Sequence, residues 1–342
     1  MMKVKRVAFR WQPVLLICVL LTAFVILSSA GNLLSARETT QVLVWVSLVT
    51  SLYVYTGVTG IVSFGHTAFA SIGAYTAAVL TINPLFKSST LVNLPEFVLS
   101  RAIPTAYAVP IGVIVATAVA VPTGLAIGRL KGEATTIGTF AFLLVIYAVF
   151  SNWNGVTGGT TALVGIPLVV GKWAALAGAT MIIIIAYAFR ISSTGRQLVA
   201  ARDDEAAASA CGVNVGKLRL RAFVLSAALM SFAGALSSGS IGVLSVDSFH
   251  VGATSMALAM LVVGGRNSLS GAVAGGLLVA LAMVFLRHVE QGINLGASKF
   301  SLPGGSQELA IAALMLLVLV RRPLGLMGFL EFGLSRGARR QN

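Results

Sequence analysis

Apolar runs of about 17 to 25 residues recur along the whole chain, and each is long enough to cross a membrane as an α-helix. The runs are continuous rather than alternating, which favours helices over the strands of a membrane β-barrel. We predict an all-α, polytopic membrane helix bundle that forms a single transmembrane domain over residues 1–342. Its ten predicted spans are approximately residues 13–30, 42–58, 61–82, 104–128, 134–151, 172–190, 220–240, 251–267, 271–287 and 305–320.

The distribution of basic residues predicts the topology. The net charge of +14 would suggest nucleic acid in a soluble protein, but the bases gather at the ends of apolar runs and so indicate topology instead. With both termini in the cytoplasm, most of the 24 Lys and Arg residues lie on the cytoplasmic side, as the positive-inside rule requires. We therefore expect cytoplasmic termini and no nucleic-acid partner. The bases left outside are Arg37, Lys87, Arg101, Lys172, Arg287 and Lys299.

The first 31 residues have a basic start, an apolar stretch and small residues, as a cleaved signal peptide does. Cleavage would leave an odd number of spans and disturb the charge distribution. We therefore expect this segment to be retained as the first span.

The sequence contains no recognisable catalytic or metal-binding pattern. Its three histidines lack the spacing of metal ligands, and Cys18 and Cys211 are far apart in the sequence. The segment "GVNVGKL" is one residue too short for a phosphate-binding Walker A loop and has Leu218 where a hydroxyl is required. We expect no cofactor, no metal and no ATP hydrolysis by this chain. Nearly all of its acidic residues lie in predicted loops or at span ends, which disfavours a proton-driven carrier.

The longest strongly polar passage is "AARDDEAAASACGVNVGKLRLRAF", residues 200–223, within the largest predicted cytoplasmic loop, 191–219. Asp203 or Asp204 is suited to cap a helix through "EAAASAC", and Gly212 is suited to end it. A helix of about two turns is marginal in water, so it needs a surface to dock against. Its alanines form a slim face that fits a groove on another protein. The alternative is a solvated helix that lies on its own bundle.

Glycines interrupt the stretch "YTGVTGIVSFGHTAFASIGAY", residues 55–75, where two predicted spans adjoin. An interrupted membrane helix exposes backbone N–H and C=O groups, which is tolerated only against protein or a wet cavity. One interpretation is a break that lines the route of a small polar solute; the other is that small residues simply allow close helix packing. The turn near residue 59 carries no Lys or Arg, which favours burial over exposure. The candidate pathway residues are Gly57, Gly60, Ser63, Gly65, His66, Phe69 and Gly73.

Blocks spread over about residues 42–330 carry a family resemblance. In chain order they are "GVTGIVSFGHTAFASIGAY", "RLKGEATTIGTFAF", "TGGTTALVGIP", "GRQLVAARDDEAAASACGVNVGKLRLRAFVLSAALMSFAGAL", "VVGGRNSLSGAVAGG" and "RRPLGLMG". Together they resemble the permeases of branched-chain amino-acid ABC transporters, and in particular the longer of the two permease subunits of that system.

The resemblance implies an importer in the bacterial cytoplasmic (inner) membrane, surrounded by membrane lipid. Its expected partners are a second homologous permease, two cytoplasmic ATP-binding subunits and a periplasmic or lipid-anchored solute-binding protein. The resemblance also implies that a coupling segment, residues 195–212, sits in a groove of the ATPase. The residues assigned to ATPase coupling in this way are Gly195, Arg202, Asp203, Asp204, Glu205, Ala206 and Gly212.

Two alternatives remain open at this point. Relatives in this family also carry urea and short amides, so the solute is not settled by the resemblance. A self-sufficient secondary carrier or channel is the rival from another class, and it predicts transport by this chain alone. A membrane scaffold without a pathway would leave the glycine-interrupted spans unexplained.

Overall fold

The computed structural model describes residues 2–31, 34–91, 94–130, 132–295, 298–300, 303–322, 324–328 and 331. Helices dominate these residues. The α-helices are α1 (Met2–Ala30), α2 (Ala36–Thr59), α3 (His66–Thr81), α4 (Pro84–Thr90), α5 (Glu96–Leu99), α6 (Thr105–Ile127), α7 (Glu133–Asn152), α8 (Asn154–Thr157), α9 (Lys172–Ile191), α10 (Ser193–Asp203), α11 (Glu205–Ala210), α12 (Val215–Ile241), α13 (Val251–Gly264), α14 (Leu269–Gln291) and α15 (Ser306–Arg321). The short strands are β1 (Leu163–Val164), β2 (Val243–Leu244), β3 (Ile293–Leu295) and β4 (Ser298–Phe300), and a 3-10 helix covers Val246–Phe249. Strand β1 pairs antiparallel with β2, and β3 pairs antiparallel with β4.

Within these described residues, eight helical segments are long and apolar enough to cross a membrane. They match eight of the ten predicted spans and confirm a polytopic helix bundle. The other two predicted spans, 61–82 and 305–320, correspond to α3 and α15, which have only 16 residues each. At about 1.5 Å per residue such a helix is about 24 Å long, shorter than a typical hydrocarbon core. The prediction that a helix begins at residue 61 is wrong, because residues 60–65 are not helical.

Helix α2 is the centre of the bundle. Its residues from Val46 to Thr59 are all buried, and it packs against α9, α12 and α14. Helix α12 in turn packs against α3 and α6. By contrast, α1, α6 and α7 expose large apolar side chains, among them Leu15, Ile114 and Ile137. Such an exposed apolar face suits contact with lipid or with the helices of another subunit.

Glycines allow α3 and α12 to pack backbone against backbone. A Cβ atom placed on Gly73 of α3 would lie 2.7 Å from the carbonyl carbon of Ser231 in α12. A Cβ atom placed on Gly234 of α12 would lie 2.7 Å from the Cα atom of Ala70 in α3. Real side chains do not approach backbone this closely, so the crossing requires glycine on both helices. Close packing therefore accounts for one of the glycines of the interrupted stretch, Gly73.

A buried lysine ties together the segment between α3 and α6. The ammonium group of Lys87 donates hydrogen bonds to the carbonyl oxygens of Leu80 at 3.3 Å, Val98 at 3.0 Å and Arg101 at 2.8 Å. Because the group is buried, desolvation lowers the pKa of Lys87 from its usual value. The three carbonyl oxygens compensate for the water that this ammonium loses on burial.

At the opposite end of the bundle, the buried carboxylate of Glu331 holds the start of α14. It accepts hydrogen bonds from the backbone N–H of Leu269 at 2.9 Å and of Ser270 at 3.1 Å. It also forms an ion pair with Arg190 at the end of α9. A carboxylate in this position satisfies N–H groups that have no partner inside the helix and complements the positive end of its dipole.

Candidate functional site: the helix break and the coupling segment

The predicted interruption between α2 and α3 is present in the structure. Helix α2 ends at Thr59, Gly60 adopts a left-handed conformation with φ of 78°, and α3 begins only at His66. The left-handed region is open to glycine at no steric cost, which is why the helix can turn here. Residues 60–65, the helix break, therefore run through the bundle without regular structure.

Threonines of α7 satisfy the polar backbone of the helix break. The hydroxyl of Thr139 accepts a hydrogen bond from the N–H of Phe64 at 3.2 Å, and the hydroxyl of Thr136 donates to the carbonyl of Val62 at 2.9 Å. Non-helical backbone at membrane depth needs such partners, because no water is available in the hydrocarbon region. The break faces protein on the α7 side.

Aromatic rings surround the first residue of α3. His66 is fully buried, its Nδ1 atom lies 2.6 Å from the hydroxyl of Ser63, and its ring stacks on Tyr55 with ring centroids 5.0 Å apart. The rings of Phe69 and Phe223 pack edge-on against His66. We call Tyr55, His66, Phe69 and Phe223 the aromatic layer; it fills the space beside the helix break.

The other candidate pathway residues are glycines at close contacts. A Cβ atom on Gly65 would lie 3.1 Å from the carbonyl carbon of Thr139, and one on Gly57 would lie 2.7 Å from the carbonyl oxygen of Arg266. In this conformation the predicted pathway residues are closely packed, so a solute can pass between them only if the helices move.

The predicted cytoplasmic loop is mostly helical. The short helix is present as α11, and its N-terminal cap is Asp204, whose carboxylate accepts a hydrogen bond from the N–H of Ala207 at 2.9 Å. Gly212 follows the helix with φ of 81°, as expected for a residue that ends a helix. Within the same segment Ser193–Asp203 forms a further helix, α10, with Ser192 as its cap, and this helix was not predicted. The polar residues at both ends of this helix concealed it, and its buried side is formed by Gly195, Leu198 and Ala201.

An ion pair fixes α11 on the bundle. The guanidinium group of Arg219 in α12 makes two hydrogen bonds to the carboxylate of Glu205, at 3.0 and 2.8 Å. The Glu205 side chain is 52% exposed, so one side of the carboxylate still faces solvent. Ala206, Ala207 and Ser209 are also exposed, which leaves a small, smooth surface on α11.

We compared the chain with known protein families. The family model described as "Branched-chain amino acid transport system / permease component" matches residues 35–320, most of the chain. The chain belongs to this permease family. The resemblance inferred from the sequence blocks is thereby confirmed.

Two relatives of the permease carry the same family description in their names. The high-affinity branched-chain amino acid transport system permease protein LivM of Escherichia coli strain K12 is 25% identical over 345 residues, covering 90% of this chain and 74% of the relative. LivM of Salmonella typhimurium strain LT2 is 24% identical over 322 residues, covering 84% of this chain and 68% of the relative. No solved structure matches the chain.

In the permease, Arg202 connects α10 to the helix break. Its guanidinium group donates to the carbonyl oxygen of Gly57 near the end of α2 at 3.0 Å, and to the side-chain oxygen of Asn267 at 3.3 Å. Its methylene groups lie against Gly60, where an added Cβ atom would be 2.6 Å from Cγ. The charge is well placed for the negative end of the α2 dipole. A single side chain of α10 thus contacts α2, the helix break and the turn between α13 and α14.

Sequence reasoning selected Arg202 only as part of a family block and did not identify its partners. Asn267 and the α7 threonines were not predicted at all. The sequence separations are 65 residues between Arg202 and Asn267 and 75 between Phe64 and Thr139. One hint was available in the sequence: residues 55–75 and residues 262–276 are both rich in glycine. Arg202 forms hydrogen bonds with both of these segments, to Gly57 and to Asn267.

Proposed function

We propose that the permease lines the translocation pathway of an ATP-driven importer for branched-chain amino acids: leucine, isoleucine and valine. The family match over residues 35–320 is the observation that carries this proposal. The importer would contain a second homologous permease, two cytoplasmic ATP-binding subunits and a periplasmic or lipid-anchored binding protein. It would lie in the bacterial cytoplasmic membrane with both termini of this chain in the cytoplasm. The permease itself would not hydrolyse ATP.

The coupling segment transmits the work of the ATPase in this proposal. Helix α11 docks in a groove of the ATP-binding subunit through its alanine face, and Asp203, Asp204 and Glu205 set its orientation by charge. A rigid helix can transmit motion only if its groove differs between nucleotide states. Gly195 and Gly212 are the first and last residues of the coupling segment. Arg202 transmits the displacement of this segment to α2 and the helix break.

The pathway residues act as a closed barrier in the conformation described. Gly57, Gly60, Ser63, Gly65, His66, Phe69 and Gly73 include two rings of the aromatic layer and the glycines at the adjacent helix contacts. A displacement of α10 that pulls on the carbonyl of Gly57 would loosen this packing. The solute then passes where the break supplies backbone groups in place of water.

Reconstitution tests the proposed function. Proteoliposomes containing both permeases and both ATP-binding subunits, with the binding protein outside and ATP inside, are expected to accumulate labelled leucine. Permeases without the ATP-binding subunits are expected to accumulate none. Accumulation by the permeases alone would favour the carrier or channel. Accumulation of labelled urea and not of leucine would keep the architecture and change the solute.

Charge reversal at Glu205 tests the coupling segment. Glu205→Lys places an ammonium group against Arg219, so α11 loses its tie to α12 and leucine uptake by the assembled importer should fall. The pair is partly exposed, so the expected loss is about 1 kcal/mol, or roughly fivefold in uptake rate. Glu133→Lys, which reverses an exposed acid at the start of α7, is the matched control and should leave uptake unchanged.

A charge swap separates two roles of Glu205. The double variant Glu205→Arg with Arg219→Glu restores the ion pair and should recover uptake if that pair positions α11. A double variant that stays as impaired as Glu205→Lys would mean that Glu205 contacts the ATP-binding subunit directly. Uptake unaffected by Glu205→Lys would contradict a role for this residue in coupling.

A further inference from the structure

A cavity of about 190 Å³, with a mostly apolar lining and several polar side chains, lies between α2, α12, α13 and α14, at the end of the bundle predicted to face outside. Its lining follows the helix period: residues 41, 44, 45 and 48 of α2 share one face, and residues 283 and 287 of α14 share another. Leu48 lies seven positions after Gln41 along α2, which corresponds to a depth of about 10 Å. The cavity therefore extends along the helices rather than across the surface.

The far wall of the cavity is next to the helix break. Thr67, the second residue of α3, lines the cavity and hydrogen-bonds through its hydroxyl to that of Thr254 in α13. Its neighbour His66 belongs to the aromatic layer. The cavity thus ends where the proposed barrier begins. This is the arrangement expected of an outward-facing cavity that is closed towards the cytoplasm.

The chemistry of the lining combines one cation with aliphatic and hydroxyl groups. Arg287 is exposed at the mouth, and within the described ranges its only hydrogen bond is a 3.4 Å contact with the side-chain oxygen of Gln41. The walls below it include the apolar side chains of Leu48, Leu244 and Met283. Hydroxyl groups of Ser237 and Ser240 provide acceptors along the same cavity.

The carboxylate of Glu38, near the start of α2, has partners other than Arg287. Glu38 lies close enough to feel the charge of Arg287. One of its oxygens accepts hydrogen bonds from the N–H and hydroxyl of Ser35, at 2.7 and 2.8 Å, and the other faces His288 at 3.2 Å. The guanidinium group has five N–H donors in a planar fork, which leaves donors on Arg287 to bind an incoming carboxylate in bidentate fashion.

From these features we propose that the cavity is the outward-facing binding site for an aliphatic α-amino acid, whose carboxylate binds Arg287. The side chain of the solute packs against Leu48, Leu244 and Met283, and its ammonium group donates to serine hydroxyls. Pockets for drug-sized ligands have volumes of about 300–1,000 Å³. This cavity is smaller, so it suits a solute the size of a single amino acid. This proposal rests on the proposed function, because it supplies the binding site that an amino-acid importer needs.

Protection of a cysteine reports occupancy separately from transport. Ser248 is exposed and lines the cavity, so Ser248→Cys is introduced into the assembled importer after Cys18→Ala and Cys211→Ser have removed the native thiols. A charged methanethiosulfonate reagent added from outside modifies this thiol. Saturating leucine is expected to slow modification about tenfold, and leucinamide, which lacks the carboxylate, is expected to slow it little. Ser100→Cys, exposed and outside the cavity, should react equally with and without leucine.

Substitution of the cation completes the test. Arg287→Gln should raise the leucine concentration needed for half-maximal protection about tenfold, whereas Arg101→Gln, which removes another exposed base, should not change it. Full protection by leucinamide, or unchanged protection in Arg287→Gln, would overturn the assignment of the carboxylate to Arg287. An importer that accumulates leucine while leucine gives no protection would overturn the cavity site and leave the proposed function intact. An importer that shows neither uptake nor protection would overturn both.

Discussion

Gly234→Ala is expected to lower the Tm of the purified permease sharply, although it adds only one methyl group. The new Cβ atom would lie 2.7 Å from both the Cα and the carbonyl carbon of Ala70. These are backbone atoms of α3, so no change of side-chain rotamer can relieve the overlap, and the helix itself must move. The overpacking cost is about 3 kcal/mol, which corresponds to a decrease of roughly 6–12 °C in Tm. Thermal unfolding of the protein in detergent measures it.

Gly252→Ala is the matched control for this prediction. It adds the same methyl group to a glycine in α13, but within the described part of the chain no heavy atom beyond the adjoining residues and helix backbone lies within 4 Å of the new Cβ atom. Alanine also has the higher helix propensity, by about 0.5–1 kcal/mol. The control should melt at or slightly above the temperature of the unmodified protein. If both variants melted alike, the close approach of α3 and α12 would not be the origin of the glycine requirement.

The features that the sequence predicted well are those in which local chemistry decides the structure. Glycines at 57, 60 and 65 predicted the interruption after α2, because helix propensity and left-handed geometry act within a few residues, although the start of α3 was placed too early. Asp204 was one of two candidates for the cap of α11 because a carboxylate before an alanine run satisfies free N–H groups. Long apolar runs predicted the spans because the length and hydrophobicity of a run can be read from one continuous stretch of sequence.

The features that the sequence did not predict depend on which elements meet in space. Helix α10 is polar enough to resemble a loop, and it is stabilised by the burial of Leu198 and Ala201 against the bundle. The two interpretations of the helix break differed in whether it faces protein or a wet cavity. On one side it faces protein, because Thr136 and Thr139 of α7 form hydrogen bonds to its backbone. The outer cavity combines residues of seven separate elements, so no single motif indicates it.

Arg202→Met is expected to uncouple ATP hydrolysis from leucine uptake in the assembled importer. Methionine retains an unbranched apolar side chain that covers Gly60, but it removes the hydrogen bonds to the carbonyl of Gly57 and to Asn267. If the coupling segment transmits motion as proposed, it then moves without pulling on α2, and we expect ATP to be hydrolysed with little transport. Coupling free energies between sites are typically 1–3 kcal/mol, which predicts a decrease of about 5- to 150-fold in leucine imported per ATP hydrolysed.

The comparison of three variants assigns this effect to the guanidinium group. Arg202→Lys keeps the positive charge at the end of α2 but lacks the planar fork that reaches both acceptors. Its leucine uptake per ATP should therefore lie between those of the unmodified importer and of Arg202→Met. Arg129→Met removes an exposed arginine just after α6 and should leave coupling unchanged. If Arg202→Met instead reduced ATP hydrolysis and uptake in equal proportion, the residue would support docking of the ATP-binding subunit. Only a selective loss of uptake identifies Arg202 as the link between the coupling segment and the helix break.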